Sequence, residues 1–157
     1  MKKTPVKAVC VFDKKDGIKG YVLFQEDLKK RETIIKINLD NVPTGAHGIH
    51  IHETGDLRMG CKSLCAHYNP HGKDHGGLKD KNRHVGDLGN ITSKTGKVNT
   101  TIRDKLVKLR GKYSVIGRSV VIHAGEDDLG KGGDEESLIT GNSGARIACA
   151  VIGFAKC

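Results

Sequence analysis

The chain has 157 residues, with 27 Lys and Arg against 18 Asp and Glu, a formal net charge of +9. That length suits one domain able to bury roughly two-thirds of its unfolded surface, and 21 glycines with only 4% aromatic residues argue against a helical bundle. The basic balance favours anionic partners, but its lysine-rich start (Lys2, Lys3, Lys7, Lys14, Lys15) has no tryptophan and few aromatic residues on which bases could stack, which argues against nucleic acid.

Taken in chain order, Val6 to Phe12, Ile18 to Phe24, Thr33 to Leu39, Gly48 to Glu53, Val98 to Ile102, Ser119 to His123 and Ile147 to Phe154 are short and β-branched, and each predicts a strand. Ile35, Ile37 and Leu39 alternate with Lys36 and Asn38, the period of a strand with one buried and one wet face. Strands at this density predict an antiparallel sandwich or barrel. Two stretches rich in glycine and charge interrupt them, from about Gly55 to Asn90 and from about Ala124 to Ala145. Loops of such length usually carry function. No repeat or Pro-rich linker divides the chain, so one domain over residues 1–157 is expected.

The opening MKKTPVKAVCVF has neither an apolar run of seven residues nor a small-residue cleavage site, and no segment is apolar enough to span a membrane. The expectation is a soluble, cytoplasmic protein. Five cysteines, Cys10, Cys61, Cys65, Cys149 and Cys157, leave at least one thiol free or paired with another chain.

The histidines carry the chemistry. His50 and His52 are two apart, which on a strand puts both rings on one face. The first long loop adds His67, His71, His75, His84 and Asp87; three histidines and a carboxylate make a closed, mainly structural zinc set. Metal binding would also explain how so much irregular chain is held rigid. His123 ends an apolar strand and is placed to join His50, His52 and one loop histidine around a second metal, for which an all-imidazole site suits copper or zinc.

These residues resemble the copper,zinc superoxide dismutases, on Gly48-Ile-His-Ile-His-Glu-Thr-Gly-Asp56, His67-Tyr-Asn-Pro70, His75-Gly-Gly, Arg83-His-Val-Gly-Asp-Leu-Gly-Asn90, Asp127-Asp-Leu-Gly-Lys-Gly-Gly133 and Thr140-Gly-Asn, in the family's order from near Lys7 to Lys156. The resemblance implies an eight-stranded Greek-key sandwich or flattened barrel. It implies copper on His50, His52, His67 and His123 and zinc on His67, His75, His84 and Asp87, with His67 as the bridging imidazolate. Asp127 would link His50 to His75, and His47 would orient the copper side through the backbone. His71 has no role by resemblance and reads as a solvated loop residue.

The implied reaction is disproportionation of superoxide to dioxygen and hydrogen peroxide by copper cycling, with His67 as proton carrier, Arg146 binding the anion and Thr140 narrowing its channel. The resemblance further implies a Cys61–Cys149 disulfide, a homodimer through Thr54 to Asp56, Ile116-Gly117 and Val151 to Phe154, and a copper chaperone as a further partner. Three departures stand out. Gly125 and Ile139 replace channel lysines while Glu135 and Glu136 remain; Cys65 is placed to compete for the disulfide or for metal; and Phe154 is larger than the usual aliphatic residue. Cys10 is expected in the core and Cys157 as an exposed terminal thiol. The alternatives are a non-enzymatic relative, either a copper-chaperone domain or an inactive decoy, and a basic polyanion-binding module.

Overall fold

A computed structural model of the chain describes residues 4–156; Cys157, Lys2 and Lys3 lie outside them. Two antiparallel sheets face each other. One contains β1 (Lys7–Asp13), β2 (Lys19–Asp27), β3 (Glu32–Asp40), β6 (Val98–Asp104) and β9 (Gly153–Phe154) in the order β6-β3-β2-β1-β9, and the other contains β4 (Gly45–His52), β5 (Asp87–Ser93), β7 (Ser119–His123) and β8 (Arg146–Val151) in the order β5-β4-β7-β8. The only helical pieces among the described residues are a 3-10 turn at Gly60–Ser63 and one turn of α-helix, α1, at Ser137–Thr140. No helix among the described residues is long and apolar enough to cross a membrane.

The alternation read from sequence builds the core. In β3, Thr33, Ile35, Ile37 and Leu39 are buried while Lys36 and Asn38 face solvent, and Ala8, Cys10 and Phe12 of β1 and Val22 and Phe24 of β2 pack beside them. From the opposite sheet come Ile49 and Ile51 of β4 and Val120 and Ile122 of β7. Cys10 is in this cluster, as expected.

Strand parity then fixes the site. Because Ile49 and Ile51 face the core, His50 and His52 face away from it, on the outer surface of the four-stranded sheet. They are nonetheless buried, covered by the long segments between β4 and β5 and between β7 and β8. His123 follows Ile122 and lies on that same outer face. Register shifts occur between Gly48 and His50 in the β4–β5 pair and between Ile122 and His123 in the β7–β8 pair. Bulges at such places re-aim side chains.

Two elements differ from the sequence expectation. Asp87–Ser93 is a strand whose first residues fall inside the expected loop, since Gly89, at φ +81, and the charged Asp87 lack the β-branched signature. The terminal apolar run is divided at Ile152, so that β8 pairs with β7 and β9 pairs with β1. The last strand thus crosses from one sheet to the other, making nine segments of the expected eight strands.

Candidate metal centre

Backbone hydrogen bonds sew the first long loop onto β4. Tyr68 N–H donates to Ile51 O (2.8 Å), Ile51 N–H to Gly86 O (2.9 Å) and Gly86 N–H to Tyr68 O (3.0 Å). The chain around Gly86 is so close that a Cβ there would collide with Ile51 O. This packing carries His67 to the side of His52 and brings Asp87 beside His67. Arg83, buried with Asp104 in a 2.6 Å ion pair, fastens the end of the same loop to the end of β6.

The donor atoms of His50, His52, His67 and His123 lie within 4.8 Å of one another. His52 Nδ1 donates to Cys65 O (2.8 Å) and His123 Nδ1 donates to Gly144 O (3.0 Å), so each ring turns a bare Nε2 lone pair inward. Those two Nε2 atoms are 3.4 Å apart. His50 donates from Nε2 to Asp127 Oδ2 (2.7 Å), leaving Nδ1 buried without a partner. Converging lone pairs and one orphaned buried nitrogen cost free energy unless a cation lies between them. The donor set therefore fits an imidazole-bound metal. Burial, reinforced by the neighbouring His67 ring, pushes His50 down to about 3 and His52 to about 2; burial also brings His123 to about 4. All three rings are neutral at neutral pH.

A second group centres on Asp87. The Nδ1 atoms of His67, His75 and His84 approach Asp87 Oδ1 at 3.0, 2.9 and 3.1 Å, and His84 Nδ1 is 3.4 Å from His67 Nδ1. Asp87 Oδ2 accepts the backbone N–H groups of Gly76 (3.0 Å) and His84 (2.8 Å). Three imidazoles and one carboxylate are a tetrahedral donor set for zinc. His50 also comes within 4.8 Å of His67, His75 and Asp87, a consequence of how closely the two groups adjoin; its Nε2 is already committed to Asp127. Burial opposes charge on Asp87, but hydrogen bonds from His67, His75 and His84 outweigh it and hold the carboxyl far below the usual range. Burial likewise opposes charge on His75, yet Asp127 and Asp87 raise it to about 9.

Asp127 ties the groups together. Its Oδ2 accepts from His50 Nε2 and its Oδ1 from His75 Nε2, both at 2.7 Å, with Leu129 N–H as a further donor to Oδ1 at 2.8 Å. Asn90, whose role no sequence pattern announces, clasps the Asp127 backbone at both ends: Nδ2 donates to Asp127 O (2.9 Å) and Oδ1 accepts Asp127 N–H (2.7 Å). Gly141, at φ +69, closes over the carboxylate, where a Cβ would run into Asp127 Oδ1 and His75 Nε2. The carbonyls that orient His52 and His123 belong to Cys65 and Gly144, and no residue-type pattern announces a backbone acceptor. His47 places its ring nitrogens 2.9 Å from His123 O and 2.8 Å from Pro43 O. His71 is exposed, its ring edge-on to Tyr113 at 4.8 Å.

A cavity of about 440 Å³ opens onto the first group, lined by His52, His67, His123, Thr140 and Arg146 and, at its rim, Glu136 and Ile139. Arg146 donates from Nη1 to Cys61 O (2.7 Å) and from Nη2 to Cys65 O (2.6 Å), which fixes a cation beside the histidines. Thr140 Oγ1 donates to Glu136 Oε1 (2.8 Å). Ile139 is 50% exposed. Gly125 is absent from the lining; it bonds through its backbone to Gly48 and Ser143. Cys61 and Cys149 form a disulfide across a separation of 88 residues, and Cys65 is a free, exposed thiol rather than its competitor.

The copper/zinc superoxide dismutase family model matches residues 18–152. Among similar proteins, the Cu-Zn superoxide dismutase of Paramecium bursaria Chlorella virus 1 is 52% identical over 156 residues, covering 97% of this chain and 80% of that protein. Those of Pleurocordyceps sinensis and Candida glabrata are each 53% identical, covering 96% and 95% of this chain and 99% and 98% of their own. Likeness of this extent, on a chain whose buried histidines fall into two donor groups sharing His67, leads to one conclusion: the chain belongs to the copper/zinc superoxide dismutase family.

Proposed function

We propose that His50, His52, His67 and His123 hold the copper of this superoxide dismutase, and that His67, His75, His84 and Asp87 hold its zinc, with His67 as the shared ring. The observation that carries this reading is the two-sidedness of His67. Its Nδ1 turns to the Asp87 group at 3.0 Å while the ring also belongs to the four-histidine group. A ring donating a lone pair from both nitrogens needs two cations in place of its protons.

The enzyme converts two superoxide anions and two protons into dioxygen and hydrogen peroxide. When bound, copper supplies the one-electron couple for both half-reactions, and zinc supplies a fixed charge. His67 serves the proton: Nε2, its nitrogen away from Asp87, is the atom that gains and returns one proton per cycle. Arg146 binds the anion. Two of its N–H groups are spent on Cys61 O and Cys65 O, which aims the remainder at a small anion near His123. Thr140 restricts the approach. Asp127 holds His50 and His75 in the tautomers that present Nδ1 to the metals, and His47 fixes the carbonyl of His123.

One catalytic domain formed by the whole chain and a homodimer complete the proposal. Thr54 to Asp56, Ile116-Gly117 and Val151 to Phe154 make one patch, since a Cβ on Gly55 would strike Gly117 O and lie 3.2 Å from Val151 Cγ1. Phe154 at its edge is 75% exposed, apolar area that a two-fold contact would cover. A cytoplasmic location and copper delivery by a chaperone belong to the same proposal.

Metal titration tests the assignment. Metal-free protein should take up one copper and one zinc per chain, and the visible spectrum of bound copper should change when zinc is added, through the shared ring. A copper spectrum indifferent to zinc would count against His67 as the bridge.

A further inference from the structure

Among the described residues, one other group of candidate ligand side chains converges outside the histidine centre, with its two sulfurs joined in the disulfide. The carboxylate of Asp16 and the sulfurs of Cys61 and Cys149 lie within 4.8 Å of one another. Asp16 belongs to the turn between β1 and β2, closed by Lys14 N–H to Ile18 O (3.1 Å) and Gly17 N–H to Lys14 O (2.9 Å). β8 is the edge strand of its sheet, and Asp16 Oδ2 accepts the Cys149 N–H at 3.4 Å. The carboxylate is thereby held against the disulfide although nothing in the histidine centre uses it.

We propose that the reduced form of the Cys61–Cys149 pair, together with Asp16, is a binding site for one thiophilic divalent cation of the zinc class. In the disulfide the two sulfurs are poor ligands. Reduction by a phosphine consumes one water: the S–S bond breaks, the phosphine becomes its oxide, and two thiols form. Binding then releases both thiol protons to solvent and leaves two thiolates and a carboxylate on the cation. Tetrahedral zinc at its usual sulfur distance sets two thiolates about 3.8 Å apart, a spacing that side-chain rotation reaches from Cα atoms 5.8 Å apart. Asp16 is exposed and both cysteines are half-buried, so the fourth position is open to water. Because one pair of sulfurs serves both states, cation binding and disulfide formation exclude each other. In a reducing compartment the site would hold the thiols against oxidation until the cation leaves.

The test uses protein loaded with its copper and zinc, treated with a phosphine under inert gas and titrated with cadmium. The ultraviolet thiolate-to-cadmium band is one that imidazole and carboxylate ligands do not give, and circular dichroism recorded alongside reports the fold. The reduced protein should bind one cadmium per chain with this band, and the untreated protein should show none. Asp16→Asn, which keeps an acceptor for the Cys149 N–H, should weaken binding by about tenfold or more. Cys65→Ser should leave it unchanged, and bound cadmium should slow return of the disulfide. The proposal is overturned by absence of the band after reduction, by equal affinity in Asp16→Asn whether the reduced chain is folded or not, or by loss of the band in Cys65→Ser.

Discussion

Replacing Asp127 by asparagine should damage the copper site more than the zinc site, and the reason lies in the two oxygens. Oδ1 receives two donors, His75 Nε2 at 2.7 Å and Leu129 N–H at 2.8 Å, whereas Oδ2 receives only His50 Nε2 at 2.7 Å. An asparagine satisfies most donors by putting its single carbonyl oxygen in the Oδ1 position. Its NH2 group then faces the N–H of His50. His50 must either leave that N–H unsatisfied in a fully buried site or move its proton to Nδ1, the unpartnered nitrogen proposed to bind copper. An unsatisfied buried donor costs about 1–3 kcal/mol, and loss of such an outer partner typically lowers metal affinity about 10–100-fold. Competition titrations with a chelator, run separately for copper and zinc, should show a fall of that size for copper and a smaller one for zinc. Equal losses, or zinc affected more than copper, would refute the argument from the two oxygens.

Three further outcomes follow from the same geometry. Ile139 stands at the cavity rim beside Glu136; Ile139→Lys should raise the second-order rate with superoxide at low ionic strength, and the gain should fade as salt screens it. The parent enzyme should also slow as ionic strength rises, because Arg146 and the +9 net charge act on an anion; stopped-flow rates flat or rising with salt would contradict this. In metal-free protein, His50, His52 and His123 titrate in the folded state at about 3, 2 and 4, below the unfolded value of 6.5. The unfolded chain binds more protons across that window, so stability falls as pH drops below about 6.5, by about 1.4 kcal/mol per pH unit for each proton. His75 has the opposite sign: its folded value is raised to about 9, so its contribution is full below 6.5 and lost as pH rises through 9. Denaturant midpoints of the metal-free protein should therefore peak near pH 6.5, and a midpoint still rising from pH 7 to 9 would be inconsistent with the raised His75.

Much of this site was legible because its residues are chemically conspicuous. His50 and His52 announce a shared face by their spacing, and the strand they lie on is confirmed with its apolar neighbours Ile49 and Ile51 turned to the core. What composition could not convey was how the loops fold back. His67 reaches β4 through backbone hydrogen bonds around Gly86, and His52 and His123 are aimed by the carbonyls of Cys65 and Gly144. Any residue type offers such an acceptor. β5 was partly hidden for a related reason: its opening residues, Asp87 to Asn90, are chosen for the site and for Asp127 rather than for strand propensity. Cys65 reads in sequence as a rival for the disulfide, yet its contribution is its carbonyl, while Cys61 pairs with Cys149.

Whether the four-histidine group holds the redox metal is tested most directly by superoxide consumption measured on copper- and zinc-loaded protein beside its His123→Ala variant, with metal content determined on the same samples. His123 supplies one of the two Nε2 atoms that meet at 3.4 Å, so its loss should abolish rapid turnover and deplete copper while zinc is retained. Activity and copper content equal to those of the parent chain would contradict the assignment.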